Sequence, residues 1–164
     1  MAYKDALIAE LKLESVSTRK MLERVPLEKA EWKPHEKSYT LGRLATHVAE
    51  IPHWISRIIT IDDWDFASRG FSRQVAQSRE ELMSIFHQKL NDAIENLGTM
   101  HDDDFNKIWV VRNGEQMRRE LTKTVAIRAW GFSHMVHHRG QLSVYLRLLD
   151  IPVPGMYGPS ADER

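Results

Sequence analysis

Two histidines four residues apart, His134 and His138, stand in the stretch Ala129-Trp130-Gly131-Phe132-Ser133-His134-Met135-Val136-His137-His138-Arg139-Gly140-Gln141-Leu142. On a helix, positions i and i+4 are neighbours on one face, so the two imidazoles can aim ring nitrogens at one point in space. A divalent metal needs such convergence, but it needs more than two ligands. The chain has no cysteine, which removes thiolate ligands, disulfides and a cysteine nucleophile. Any metal must therefore be held through His, carboxylate and water, and eight histidines are available.

His47 is the best third ligand. It lies on an apolar stripe, three residues after Leu44 and four before Ile51. His53, beside Pro52, could take its place but sits less well on that stripe. His47, His134 and His138 together give three imidazoles with an open position for water or substrate. That is the ligand count of a catalytic zinc site, which nickel, iron or manganese could also use. Glu50, one turn after His47, could orient a ligand imidazole or act as general base, or be a plain surface carboxylate. His137 falls one position off the inward face, and His35, His87 and His101 have no helical partner. A lone histidine on an apolar face is commonly a hydrogen-bonded core residue. A buried pair is harder to explain that way, because two imidazoles need partners and repel when protonated. Arg139 reads as an exposed helix residue, or one that binds an anionic substrate group.

These side chains need helices to carry them. Tyr3 to about Val25 is amphipathic, ending before Pro26. Ser38 and Thr40 offer N-caps for a second helix, Leu41 to about Ile59, which Pro52 should kink or divide. Asp62-Asp63-Trp64-Asp65 and Ser68-Arg69-Gly70 read as loop. Ser78 with Glu81 fits a capping box for a third helix, Arg79 to about Leu97, stopped by Gly98. Ile108-Trp109-Val110-Val111 before Asn113-Gly114 suggests a short hairpin with a two-residue turn, or an extended loop. Thr122 or Thr124 caps a fourth helix running to about Leu149. Its inward face traces through Ile127, Trp130, His134, His138, Gln141, Tyr145 and Leu148. Gly131 and Gly140 within it suggest close packing. The Pro- and Gly-containing stretch from Asp150 to Ser160 should lie over the helices as a tail. The expected fold is all-α: a single domain over residues 1–164, a four-helix bundle whose metal site is built from facing helices.

Lys+Arg and Asp+Glu both count 23 among 164 residues, so no basic excess points to nucleic acid. No apolar run approaches the roughly 18 to 20 residues of a membrane span. The N-terminus lacks the h-region of a signal peptide, which makes the cytoplasm the expected compartment. Met135 follows the first histidine where a zincin has Glu, and His137 precedes the last where the inverted form has Glu. No Gly-rich phosphate loop or nucleophile elbow occurs.

The whole chain resembles the DinB/YfiT-like superfamily of bacterial four-helix bundles. The resemblance rests on Leu41-Gly42-Arg43-Leu44-Ala45-Thr46-His47-Val48-Ala49-Glu50, on His134-Met135-Val136-His137-His138-Arg139-Gly140-Gln141-Leu142, and on the close from Tyr145 to Glu163. It implies a divalent metal on His47, His134 and His138. It also implies a homodimer acting on a small-molecule substrate, by S-transfer or isomerisation with a low-molecular-weight thiol such as mycothiol or bacillithiol, or by hydrolysis. With no cysteine of its own, the protein would take its thiol from a small molecule. Two other readings stay open: a non-enzymatic metal- or ligand-binding dimer, and a bundle whose histidines only hydrogen-bond.

Overall fold

The computed structural model describes residues 2–70 and 72–163. Leu7, Leu11, Thr18, Met21 and Leu22 recur at helical spacing and are buried along α1, Tyr3–Leu22. Thr40 Oγ1 accepts from Arg43 N–H and starts α2, Leu41–Glu50. Pro52 divides this column as its missing N–H requires, and α3 follows as His53–Thr60. A single turn, α4, spans Phe66–Arg69. Ser78 caps α5, Arg79–Thr99, by accepting from Glu81 N–H. Glu81 reaches back past the cap to accept from Gln77 N–H. Gly98 lies inside α5, not beyond it, and Met100 is the C-cap.

The last helical column has three parts. Thr122 caps α6, Lys123–Ala126, and a π-helical segment, Ile127–Ser133, leads into α7, His134–Leu148. Seven residues of π-helix are unusual, and such geometry tends to accompany functional sites. Gly131 has a packing reason: a Cβ there would stand 2.6 Å from Ile55 Cγ1 on α3. Gly140 has none, since nothing lies within 4 Å of a Cβ built on it.

The all-α expectation is overturned, because a three-stranded mixed sheet belongs to the core. Its order is β1 (Asp63–Asp65), β2 (Ile108–Asn113), β3 (Met117–Thr122). The hairpin β2–β3 is antiparallel, with Asn113 opposite Met117, so its loop is Gly114-Glu115-Gln116 and not a two-residue turn. Gly114 has φ +53°, which suits glycine. β1 runs parallel to β2, with Trp64 opposite Val111. Charge holds this pairing, since Arg112 reaches Asp63 at 3.2 Å and Asp65 at 2.8 Å. Asp65 also accepts from Ala67 N–H and Gly114 N–H. Alternation along β2 buries Trp109 and Val111 among α1, α3, α5 and the π segment. A second apolar cluster joins the end of α1, α2, the start of α5 and α7.

The buried stripe of α7 is Met135, Arg139, Leu142 and Leu146. The trace through Gln141, Tyr145 and Leu148 is thus one position off, and Leu148 is 57% exposed. Arg139 is 2% exposed, neither a surface residue nor an anion ligand. Its Nη2 donates to Glu14 Oε2 at 2.6 Å and to Tyr157 Oη at 2.7 Å, and its Nη1 donates to Thr18 Oγ1 at 3.0 Å. These bonds satisfy the guanidinium and fasten the C-terminal tail to α1 and α7. Among the described residues no helix is long and apolar enough to cross a membrane.

Candidate metal centre

His47 comes from α2, while His134 and His138 open α7 one turn apart. The two columns face each other and bring one ligand atom of each ring to within 4.8 Å of the others. Ring centroids lie 5.0 Å apart for His47 and His134, 4.6 Å for His47 and His138, and 4.7 Å for His134 and His138. The Nε2 atoms of His47 and His134 are 3.2 Å apart. All three rings are half-buried at the edge of the α7 core stripe.

Two of the three remaining ring nitrogens are anchored. His134 Nδ1 lies 3.2 Å from the Trp130 carbonyl oxygen, and His138 Nδ1 lies 2.7 Å from Gln141 Oε1. Both partners accept, so each Nδ1 carries the proton and each Nε2 keeps its lone pair for the shared space. Outer partners of this kind hold metal-bound imidazoles in tautomer and orientation. Trp130 sits in the π segment, so that segment places the carbonyl which orients His134.

Electrostatics keep the rings neutral. Burial is the main cause that pushes His47 down from 6.5 to about 3, followed by the charges of His138, His134 and Arg43. Burial, then the charge of His138, lowers His134 to about 4, with the Trp130 hydrogen bond acting in the opposite direction. His138 is lowered as well, again chiefly by burial. Metal binding requires neutral imidazole, so the three rings are ready as ligands at neutral pH. Three imidazole nitrogens converging on one space are donors that a divalent ion of the zinc, nickel, iron or manganese type would accept. The donor set fits the ion that the sequence motif implies.

His47 also forms part of the wall of a cavity of about 440 Å³ bounded by α2, α3, α4 and α5. Glu50 lines it but belongs to a different network. Arg43 Nη1 donates to Glu50 Oε2 at 3.1 Å, and Ser72 Oγ donates to Oε1 at 2.6 Å. Among the described residues no hydrogen bond joins Glu50 to a histidine ring. Arg43 donates further to the carbonyls of Ser72 and Gln74, fastening that segment beside the cavity. His53 lines the cavity without joining the three-ring cluster. His137, His35, His87 and His101 are exposed.

Sequence reading passed over Arg57, Arg69 and Lys89 in the cavity wall, and Gln141 as the partner of His138. A signal for one of them exists in retrospect. His47, Glu50, Trp54 and Arg57 recur at three- and four-residue spacing, one continuous face running through the Pro52 break.

The DinB family profile matches residues 2–164. Over 159 residues the chain is 27% identical to the uncharacterized protein YrdA of Bacillus subtilis (strain 168), covering 97% of this chain and 90% of that one. A DinB-like protein from Bacillus cereus ATCC 10987 superposes with a TM-score of 0.72 at 22% identity, over 93% of this chain and 97% of that one. The DinB-like protein YjoA from Bacillus subtilis gives a TM-score of 0.66 at 15% identity, over 90% and 95% of the two chains. At these identities the two structures speak for the shared fold. The chain belongs to the DinB family.

Proposed function

We propose that this protein is a metal-dependent enzyme acting on a small molecule, with His47, His134 and His138 as the metal ligands. The observation that carries the reading is the convergence of three imidazoles, with the outer nitrogens of His134 and His138 already anchored. A divalent ion bound there would supply Lewis acidity, lowering the pKa of a water or small-molecule thiol to give a nucleophile at neutral pH. The chain's own residues provide the rest. His134 and His138 are held in the ligating tautomer by Trp130 and Gln141. The cavity beside His47 has room for a small substrate, since ligand pockets of such proteins commonly fall between about 300 and 1,000 Å³. Glu50, which the spacing offers as a general base or imidazole-orienting group, is held in the cavity wall by Arg43 and Ser72. Thiol S-transfer or isomerisation and hydrolysis are the two reaction classes this arrangement serves. A homodimer belongs to the same reading, and the exposed Leu13, Val16, Val136 and Val144 offer apolar surface for it.

The test is metal content by plasma mass spectrometry on untagged protein, beside His47→Ala and His138→Ala. About one zinc, nickel, iron or manganese per chain, lost in both variants, is the expected result for a three-ligand site. No metal in the unmutated protein, and no uptake on adding any of the four, would overturn the proposal. A bound ion directs the activity screen to thiol transfer and hydrolysis.

A further inference from the structure

The cavity beside His47 has a second chemical character. Arg43, Arg57, Arg69 and Lys89 line it, against one carboxylate, Glu50. Glu50 is taken by Arg43 at 3.1 Å. Among the described residues Arg57, Arg69 and Lys89 have no hydrogen bond to their side chains and no ion pair. Three cations from three elements, α3, α4 and α5, thus stand around one cavity with no carboxylate ion-paired to any of them.

Arg57 is the most telling. Its guanidinium lies 4.8 Å from the centroid of Trp54 and 4.1 Å from that of Trp64. Arg69 approaches the same Trp64 ring at 5.2 Å. The guanidinium thus rests against two indoles, and its N–H donors, unused among the described residues, are of the kind that grip a carboxylate or phosphate in bidentate fashion. Arg57 is half-buried, and burial pushes its pKa below the ordinary arginine value. A desolvated cation with unused donors is costly unless a counter-charge arrives. Glu50, shared with Arg43, is the one carboxylate in the cavity wall that acts on it, and it makes no hydrogen bond or ion pair with Arg57.

We propose that Arg57, with Lys89 and Arg69, forms an anion subsite that takes the carboxylate or phosphate group of the small-molecule substrate in the cavity beside His47. This deepens the reading above and rests on it only for the word substrate; the subsite itself exists with or without a metal. An anionic group on Arg57 would orient the remainder of the molecule within the cavity that His47 borders. Binding energy gathered away from the reacting atoms would then serve orientation.

The experiment titrates the full chain with inorganic phosphate and, separately, with succinate, at constant ionic strength so that general screening is held fixed. Heat and tryptophan fluorescence are read together, because Trp54 and Trp64 flank Arg57. Saturable binding of at least one probe is expected, weakened about tenfold or more in Arg57→Gln through loss of a charge-assisted bidentate pair. Lys89→Gln should weaken it several-fold. Preference for phosphate or for succinate identifies which anion the site is shaped for. Binding should persist in His134→Ala, which has lost a metal ligand. Absence of saturation by both probes at about 10 mM, above the millimolar affinity expected of a small anion site, overturns the subsite. Equal affinity in folded Arg57→Gln and Lys89→Gln also overturns it. If Arg57→Gln does not fold, Arg57→Lys keeps the charge, removes the fork, and is read in its place. Metal content of the same preparations separates the two proposals. A metal-loaded protein that binds neither anion refutes the subsite alone, and a metal-free protein that binds one refutes the metal centre alone.

Discussion

Glu14 and Arg139 meet in the core with 2.6 Å between Oε2 and Nη2, both nearly sealed from solvent at 8% and 2% exposure. Such a pair adds little over a well-packed apolar pair, because desolvation offsets its Coulomb attraction, but breaking it strands a buried charge. Glu14→Ala is therefore expected to destabilise the protein by about 3–5 kcal/mol, measured by urea unfolding. Glu14→Leu combined with Arg139→Met should recover most of that loss, since it strands nothing. A double variant as unstable as Glu14→Ala would show that the Tyr157 and Thr18 bonds, and not charge burial, dominate this cluster.

The last helical column passes through seven π-helical residues before it presents His134. Within them Gly131 lets α3 approach so closely that Ile55 occupies the space of a Cβ. Gly131→Ala must displace Ile55 or the segment, at a cost of about 1–3 kcal/mol typical of overpacking. Gly140, further along α7, faces open space, so Gly140→Ala should stabilise by up to about 1 kcal/mol through helix propensity alone. Thermal unfolding of the two variants side by side checks the contrast. If both destabilise equally, the close α3 contact is not what Gly131 serves. The segment also carries the Trp130 carbonyl, so Gly131→Ala is the variant in which packing and metal affinity should fall together.

At the scale of the molecule, the two apolar clusters and the sheet form the core, and the three half-buried histidines stand at its edge. If an ion is bound at the three histidines as proposed, chelating it should accordingly leave far-UV circular dichroism unchanged. It should lower Tm only modestly, because a ligand present at 100 times its Kd adds about 2.7 kcal/mol. Unfolding on chelation would instead mark the ion as structural. In the stripped protein His47 and His134 stay neutral until pH falls to about 3 and about 4, whereas in the unfolded chain they protonate near 6.5. The unfolded state binds more protons across that window, so stability is full above about pH 6.5 and is lost as pH falls toward those values. Denaturant midpoints of metal-stripped protein between pH 7 and 4 should decline in that sense, and less steeply in His47→Gln.

What the sequence determined by itself was local. The i, i+4 pair His134–His138, the stripe that carries His47, the caps at Thr40, Ser78 and Thr122, and the break at Pro52 all follow from helical spacing and backbone chemistry. The β2–β3 hairpin was legible for the same reason, since its apolar strand and its glycine turn are contiguous. Tertiary structure decided what depends on distant partners. Asp62-Asp63-Trp64-Asp65 has the charge of a loop, yet its residues 63–65 form β1 because they pair with β2, bury Trp64 and meet Arg112, 49 residues away from Asp63. Arg139 has the residue type of a surface position and is buried only because Glu14, 125 residues away, meets it. That one arginine hid the stripe of Met135, Leu142 and Leu146 and displaced the inward face by one position. The cationic cavity arises the same way: Arg57, Arg69 and Lys89 are ordinary charges along the chain, and only the packing of α3, α4 and α5 turns them toward one space.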